Sequence, residues 1–333
     1  MPIALRRHAA LIEAELRRSV KPVRGLLGRM SRYHMAWVDG AGHPISAPAG
    51  KLLRPALCLW ACEAAGGEAA AALGVAASIE WLHNFTLVHD DIQDGDVLRR
   101  HRPTVWSLFG GAQAINAGDG LFALAFVNLL RGGPGGTHRR RAAAVISDAI
   151  LEVVEGQCLD LALQGHPETS PRTYLRLAGS KTGALIGASL EAGAVMAGAA
   201  PPLTRSLRRA GRLLGTAFQV RDDWLGIWGN PALTGKSARS DLARRKTSYP
   251  VVAAYDAASP AQRRRLKALF LDPDPGCEPE IGELLQDLGG PALTGDVPDN
   301  LALEARALLE RHLPAERLAE YDEVAGYLIR RSG

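Results

Sequence analysis

Apolar residues recur along this chain at three- and four-residue steps or in long runs, without the sustained alternation that marks a strand. An amphipathic stretch over residues 4–33, interrupted near Pro22, predicts a first helix and its successor. Further helices are predicted over residues 51–65, 68–89, 112–130, 142–163, 170–197 and 203–227, with more between 251 and 331. No internal repeat is evident. The pattern therefore predicts an all-α fold.

Composition limits the classes of function. The 333 residues are 47% hydrophobic, which is enough for one large core, so we expect a single all-helical domain over residues 1–333. The 39 basic residues are interspersed with 35 acidic ones, which argues against a nucleic-acid-binding surface. The four cysteines lack zinc-site spacing. The first 32 residues contain no signal-peptide or membrane-span pattern, so the expected location is the cytoplasm.

The most distinctive stretch is an acidic cluster that is followed by two arginines, Arg99 and Arg100. Four residues separate Asp90 from Asp94, so on a helix their carboxylates share one face and can bind one hard cation. Asp91 points away from that face and is expected to support the site. Planar guanidinium groups can bind phosphate oxygens bidentately. The order indicates a polyphosphate bound through metal, although an isolated DDxxD motif is also typical of a solvated helix end.

A second acidic pair, Asp222 and Asp223, follows an apolar helical run and precedes a loop. Magnesium usually takes only one or two protein carboxylates per ion, together with substrate phosphate. Two sparse Asp pairs on opposed helices would therefore suit a trinuclear Mg²⁺ site for a diphosphate, whereas transition metals would favour His or Cys. The expected metal ligands are Asp90, Asp91, Asp94, Asp222 and Asp223.

Taken in order, these motifs resemble those of the trans-isoprenyl diphosphate synthases, the polyprenyl synthetase family, over roughly residues 30–255. The resemblance implies an isoprenoid synthase-type bundle of antiparallel helices around a central cavity. It also implies a short-chain trans-prenyltransferase that condenses isopentenyl diphosphate with an allylic diphosphate after Mg²⁺-dependent ionisation. The product would be geranylgeranyl or farnesyl diphosphate. A homodimer is expected from the family, and the strongly apolar stretch 120–130 agrees with it.

The resemblance also assigns substrate-binding residues. Residues 50–55 match the GKxxRP motif that binds isopentenyl diphosphate, and at a helix start Lys51 and Arg54 would share a face, although an isolated KxxR is more often a surface pair. His83, two helical turns before Asp90, and Arg100 join them. The residues assigned to the allylic diphosphate are Arg99, Lys181, Thr182, Gln219 and Lys236. Ionisation would depend on Asp90, Asp94, Asp222, Lys181 and Arg99.

Four further positions refine the resemblance. A GQxxD motif places Gln157 and Asp160 on one helix face, where they would orient waters or a metal ligand, or form an ordinary polar pair at a helix end. Gly226 replaces the third Asp of the second cluster, which we expect to weaken order around the metal without abolishing its binding. His101 stands where the family usually has glycine.

Product length is expected to depend on the residues just before the first cluster. Phe85 and Thr86 precede Asp90 by five and four positions, and one aromatic here resembles synthases that stop at twenty carbons, with fifteen as the alternative. Trp81 is either a deeper plug or an ordinary packed aromatic.

Other functions remain open at this point. A class I terpene cyclase on the same fold would need no second diphosphate site, so the cations and histidine of that site argue against it, whereas Gly226, Trp224 and Trp228 keep it open. A non-catalytic subunit of a heteromeric synthase would be expected to have lost Asp90, Asp94 or the arginines. A helical scaffold would leave the ordered motifs unexplained.

Overall fold

The computed structural model describes residues 2–45, 50–131, 136–229, 240–272 and 274–330. The chain divides into two compact units, residues 1–148 with 188–205 and residues 149–187 with 206–333. The expectation of a single domain stays a prediction.

Helices account for nearly all regular structure in the described residues, which confirms the all-α prediction. The helices of the first two thirds are α1 Ile3–Arg6, α2 Ala9–Ser19, α3 Gly25–His34, α4 Leu53–Ala64, α5 Ala69–Gln93, α6 Val105–Phe109, α7 Gly111–Arg131, α8 Gly136–Leu163, α9 Pro171–Ala178, α10 Ala184–Met196 and α11 Pro201–Trp228. Those that follow are α12 Ser240–Ala243, α13 Tyr249–Ala257, α14 Pro260–Leu271, α15 Glu278–Asp287, α16 Gly290–Gly295, α17 Val297–Leu309 and α18 Ala315–Ile329. The predicted break near Pro22 lies between α2 and α3.

Two local features were not predicted. A two-stranded antiparallel hairpin pairs β1 Leu98–Arg99 with β2 Arg102–Pro103, and strands of two residues are too short to show alternation. The helix opened by Ser170 contains a single π-helical turn, Gly179–Gly183, between α9 and α10. The cap itself is as predicted, because the Thr173 amide donates to the Ser170 side chain at 3.2 Å.

In the first unit, α5 packs against α2, α4 and α7. Trp81 is fully buried on α5, donates its indole N–H to the Ser19 hydroxyl at 2.9 Å and packs edge-on against Trp37. These contacts are those of an ordinary packed aromatic. Close approach of α7 depends on Gly118, where a Cβ atom would lie 2.2 Å from the His89 ring.

In the second unit, two apolar clusters hold the helices that carry polar site residues. One cluster joins α9, α11 and α13 and consists of Tyr174, Leu177, Ala178, Val220, Tyr249, Val252 and Ala253. The other joins the end of α11 to α12, α13, α14 and α15 and contains Ile227, Leu242, Val251, Ala254, Leu266, Phe270, Ile281, Leu284 and Leu285. The first cluster brings the side chain of Tyr174 next to the second acidic pair.

One described helix, α7, is long and apolar enough to cross a membrane by length and composition. In its most apolar window 44% is buried inside the protein. The core helix of a globular protein meets the same criterion, so this is weak evidence for a span.

Candidate active site

The GKxxRP segment differs from the expected geometry. Leu52 adopts a left-handed backbone conformation (φ 45°), and α4 begins only at Leu53, so Lys51 precedes the helix. The prediction that Lys51 and Arg54 share a helical face is therefore wrong. Lys51 is exposed, whereas Arg54 is partly buried in the first turn of α4.

Arg54 and His83 form a direct contact between α4 and α5. Nη1 of Arg54 lies 3.1 Å from Nε2 of His83. Because a guanidinium can only donate, Nε2 must accept, so the imidazole is neutral and carries its proton on Nδ1. Burial and the nearby charges of Arg54 and Arg100 lower the pKa of His83 well below its ordinary value, which agrees with this assignment.

A buried carboxylate lies under this pair. Glu80 is 6% exposed and accepts a hydrogen bond from the Asn84 amide at 3.1 Å, while its other oxygen, Oε2, has no hydrogen-bond partner among the described residues. Burial raises the pKa of Glu80, and the charge of Arg54 opposes that rise. Burial likewise lowers the pKa of Arg54 to about 10, so the guanidinium stays charged at neutral pH. Glu80 was not singled out from the sequence, although an acid in an apolar helical run is a signal of a partnered charge.

Arg100 reaches the GKxxRP segment from the hairpin turn. Its guanidinium lies so close to Gly50 that a Cβ atom there would be 2.7 Å from Nη1. Arg100 and His101 both have positive φ, 51° and 62°, as a two-residue hairpin turn requires. Glycine is favoured at such positions because it pays no steric penalty there, which explains physically why glycine is the expected residue where this chain has His101.

The first acidic cluster lies at the end of α5. Asp90 is partly buried in the last turn, and Asp94, one turn later, caps the helix and is exposed. Asp91 is only 1% exposed, and the Nε of Arg99 donates to its Oδ1 at 2.7 Å. Burial raises the pKa of Asp91 to about 6, against the opposing effect of Arg99. The structure thus places Asp90 and Asp94 towards the surface and Asp91 in an internal ion pair.

The two residues expected to control product length lie one turn further back on α5. Phe85 is partly buried and packs edge-on against Phe122 of α7, with ring centroids 5.2 Å apart, and against His89. Thr86 donates its hydroxyl to the His83 carbonyl at 2.7 Å. Phe126 extends the aromatic contact from Phe122.

The second acidic pair divides in the same way. Asp222 is partly buried, whereas Asp223 is 1% exposed. Oδ2 of Asp223 accepts from the Tyr174 hydroxyl and from the Tyr249 amide (3.0 Å), and Oδ1 accepts from the Gln219 amide at 3.0 Å. Asp223 therefore joins α9, α11 and the start of α13.

The π-helical turn presents Lys181 and Thr182. Nζ of Lys181 lies 2.5 Å from Oδ2 of Asp160 on α8, and the Thr182 hydroxyl donates to Gln219 at 2.7 Å. The turn can approach α8 because residue 156 is glycine, where a Cβ atom would lie 2.5 Å from the Lys181 amide nitrogen. π-Helical turns occur frequently at functional sites.

The motif residues thus form two groups, one in each unit. The first unit brings together Arg54, His83, Asp90, Asp91, Asp94, Arg99 and Arg100, and the second brings together Asp160, Lys181, Thr182, Gln219 and Asp223. Lys236 lies outside the described residues. Tyr174 and Lys246, which lie beside Asp223, were not singled out as candidates from the sequence. No group of three His, Cys, Asp or Glu side chains arranged to hold a metal occurs within the described part of the chain.

Comparisons with known proteins agree with this assembly of motifs. The family model "Polyprenyl synthetase" matches residues 35–288. The chain is 38% identical over 307 residues to a (2E,6E)-farnesyl diphosphate synthase of Mycobacterium tuberculosis, covering 90% of this chain and 84% of that protein. It is 42% identical over 258 residues to a geranylgeranyl diphosphate synthase of the same species, covering 78% and 73%.

A solved structure supports the same assignment. The polyprenyl synthetase from Streptomyces coelicolor superposes with a TM-score of 0.90 at 34% identity, with 98% of each chain covered. The matching fold, the ordered motifs and the sequence similarity extend over most of the chain. This chain therefore belongs to the polyprenyl synthetase family.

Proposed function

We propose that this protein is a short-chain trans-prenyltransferase that condenses isopentenyl diphosphate with an allylic diphosphate to give geranylgeranyl or farnesyl diphosphate. The observation that carries the proposal is the Arg54, His83 and Arg100 group, because a second diphosphate site distinguishes chain elongation from cyclisation. Family membership and curated relatives that are farnesyl, geranylgeranyl and geranylfarnesyl diphosphate synthases support it.

Arg54, His83 and Arg100 of the first group, together with Lys51, would bind the diphosphate of isopentenyl diphosphate. Arg54 and Arg100 supply planar donors, Lys51 supplies an exposed cation, and neutral His83 supplies one N–H. Glu80 offsets part of this positive charge, which reduces the electrostatic repulsion between the arginine side chains. The homoallylic double bond would then lie beside the ionising carbon. Holding the two reactants in this geometry makes the bimolecular step effectively unimolecular.

The second group would bind the leaving diphosphate. Lys181 and Thr182 on the π-helical turn and Gln219 on α11 would stabilise the charge that develops as the C–O bond breaks. The family resemblance assigns Arg99, a member of the first group, to the same diphosphate. The electron pair of that bond goes to the pyrophosphate oxygen, and the allylic cation is attacked by the double bond of isopentenyl diphosphate. The proton lost afterwards would go to the released pyrophosphate.

The acidic residues fit magnesium, which the family uses. Asp90, Asp94 and Asp222 offer hard carboxylate oxygens at or near the protein surface, and Mg²⁺ completes its coordination with water and phosphate, so three clustered protein ligands are not required. Bound Mg²⁺ would neutralise charge on the departing pyrophosphate. We propose three ions per site. Asp90, Asp94 and Asp222 would be the main ligands, and Asp91 and Asp223 would contribute less.

Product length would be limited by Phe85. Its ring packs against Phe122, so the aromatic contact joins α5 to α7 one turn from Asp90, with Thr86 beside it. Geranylgeranyl diphosphate is the proposed product and farnesyl diphosphate the alternative. A homodimer, expected from the family, and a cytoplasmic location, expected from the sequence pattern, are further predictions. Exposed apolar residues on α7, such as Ile115 and Leu130, are consistent with a dimer.

The experiment that tests the proposal is product analysis with purified protein, Mg²⁺ and geranyl or farnesyl diphosphate, with and without isopentenyl diphosphate. Longer prenols after phosphatase treatment, found only when isopentenyl diphosphate is present, would support elongation. Cyclic hydrocarbons or alcohols formed without it would instead support a terpene cyclase, and no conversion under either condition would contradict both enzymes.

A further inference from the structure

The π-helical turn Gly179–Gly183 is bound on one side by an ion pair that no sequence motif predicted. Nη1 of Arg212 on α11 donates to Oε1 of Glu152 on α8, so the pair joins two helices that contact the turn. The Ser180 hydroxyl of the turn donates to the same Glu152 oxygen at 3.3 Å and accepts from Nη2 of Arg212 at 3.4 Å. These three residues, which we call the anchor triad, therefore connect α8, the turn and α11.

The backbone of the turn lies directly against both helices. A Cβ atom at Gly183 would lie 2.6 Å from the Arg212 carbonyl oxygen, and one at Gly156 would lie 2.5 Å from the Lys181 amide nitrogen. A Cβ atom at Gly179 would lie 3.3 Å from Nε of Arg212, so the guanidinium also lies along the start of the turn. The backbones are too close for side chains between them, and the partly exposed anchor triad bridges them from the side.

The register of this turn determines where its side chains point. A π-helical turn contains one more residue than an α-helical turn, and the α-helix is the far commoner conformation that competes with it. Successive residues of an α-helix lie about 100° apart around its axis. A turn that relaxed to the α-helical register would therefore rotate Lys181 and Thr182 away from their present partners.

The side chains of Lys181 and Thr182 are not suited to hold the turn while substrate is bound. In the structure Nζ of Lys181 contacts Asp160, and the Thr182 hydroxyl donates to Gln219. Both side chains are assigned to the leaving diphosphate, so the anion would compete with these partners for their donors. The anchor triad has no assigned ligand, so its contacts would persist when the anion binds.

We propose that Glu152 and Arg212 are positioning residues of this enzyme. Acting through Ser180, they hold the π-helical turn in the register that presents Lys181 and Thr182 to the allylic diphosphate. The inference rests on the proposed function. Because the anchor triad lies wholly in the second unit, its loss should affect the allylic diphosphate and not the isopentenyl diphosphate site of the first unit.

The test compares Arg212→Met with Arg209→Met, a matched control on the same helix that breaks the exposed pair of Arg209 with Glu304. Arg212→Met should raise KM for the allylic diphosphate about tenfold, because displaced binding groups contact the substrate less well, and should leave KM for isopentenyl diphosphate unchanged. Binding of inorganic pyrophosphate with Mg²⁺, measured by calorimetry, should weaken by a similar factor. Arg212→Lys should recover part of the loss, and Arg209→Met should match the wild type in both assays.

Double variants test whether the anchor triad acts as one unit. Glu152→Ala removes the same ion pair as Arg212→Met, so the two should have similar effects, and combining them should cause little further change. Ser180→Ala should have a smaller effect, since both contacts of its hydroxyl are long. In the Ser180→Ala background, Arg212→Met should raise KM for the allylic diphosphate less than it does in the wild type. Each variant is first checked for a cooperative thermal transition.

Distinct results would overturn the inference or the function on which it rests. If Arg212→Met behaves like Arg209→Met, or raises both KM values equally, the anchor triad does not position the turn for one substrate. Additive effects of Glu152→Ala and Arg212→Met would show that they do not act as a pair. If Arg212→Met does not unfold cooperatively, Ser180→Ala replaces it, and an unchanged KM for the allylic diphosphate in that variant would also overturn the inference. A wild-type chain that elongates nothing would overturn the proposed function itself, and the inference with it.

Discussion

The two acidic pairs of this protein have the same sequence and different surroundings. In each pair the first carboxylate, Asp90 or Asp222, is partly buried, and the second, Asp91 or Asp223, is 1% exposed. Asp91 is compensated by a charged partner, Arg99, and its Oδ2 has no hydrogen-bond partner among the described residues. Asp223 is instead surrounded by neutral donors, with a lysine 4.0 Å away.

This difference shows how one motif can serve two kinds of support. Where the charge is balanced by Arg99, the partner comes from a hairpin eight residues along the chain, so the support is local. Where neutral donors hold Asp223, they come from α9, α11 and the start of α13, so the support ties distant segments together. In both pairs, burial of the second carboxylate leaves the first as the carboxylate better placed to reach a metal.

The largest expected effect is a difference in kcat between substitutions of the two members of the first acidic pair, Asp90 and Asp91. Asp90→Asn should reduce kcat by about a thousandfold or more, because it removes the carboxylate that we propose to hold metal against the developing pyrophosphate charge. Asp91→Asn should reduce kcat far less and mainly alter stability. Steady-state kinetics with saturating Mg²⁺ and both substrates would check this, and equal losses in the two variants would remove the proposed division of roles.

Removing the charged partner of Asp91 should destabilise the protein more than removing one neutral donor of Asp223. Arg99→Met leaves Asp91 buried without its cation and should lower the free energy of unfolding by about 3 kcal/mol. Tyr174→Phe removes one neutral donor from Asp223 and should cost about 1.5 kcal/mol, because two donors remain. Urea denaturation without substrates measures both, with Arg265→Met, which breaks an exposed pair with Glu280, as a control that should change little. A larger loss in Tyr174→Phe than in Arg99→Met would reverse the comparison.

The two arginines of the hairpin should affect the KM values of different substrates. Arg100 lies against Gly50 in the GKxxRP segment, whereas Arg99 is bound to Asp91. Arg100→Ala should therefore raise KM for isopentenyl diphosphate by about tenfold to a hundredfold, with a smaller effect on the allylic substrate. Varying each substrate at saturation of the other measures this. Equal rises in the two KM values would contradict the assignment of Arg100.

Acid should weaken the first unit through His34. Burial and the charges of Arg99, Arg100 and Arg102 lower the pKa of His34 to about 3, from about 6.5 in the unfolded chain. Between pH 6.5 and pH 3 the unfolded state therefore binds more protons at His34 than the folded state does. The free energy of unfolding is thus unaffected by His34 above pH 6.5 and decreases as pH falls from 6.5 towards 3. His34→Gln should lose less stability than the wild type between pH 7 and pH 5, by about 1 kcal/mol after allowing for partial exposure. Parallel pH profiles of the two proteins would contradict this.

Much of the fold was predictable because helix periodicity and punctuation are local signals. Ser170 and Pro171 fixed a helix start, and the break near Pro22 followed from the chain chemistry alone. The conformation of Leu52 was not predictable, since nothing in its residue type favours positive φ. Tyr174 and Lys246 could not be assigned because their meaning depends on Asp223, which lies 49 residues from the first and 23 from the second.

The smallest expected effect concerns the turn that carries Arg99 and Arg100 to their partners. His101 has φ 62°, where a Cβ atom costs about 1–2 kcal/mol, and glycine avoids that cost but loses more chain entropy on folding. His101→Gly should therefore stabilise the protein by about 0.5 kcal/mol net. His101→Asn should gain less and His101→Ala nothing, since Asn tolerates this conformation better than Ala. Urea denaturation of the three variants measures the order of their stabilities.

The positive-φ residue Arg245 of the second unit should respond in the opposite way. Its side chain donates to the carbonyl groups of Leu242 and Asp272, so Arg245→Gly should lower the free energy of unfolding. Changes of opposite sign in the two glycine variants would distinguish a turn held by local backbone geometry from one held by side-chain contacts.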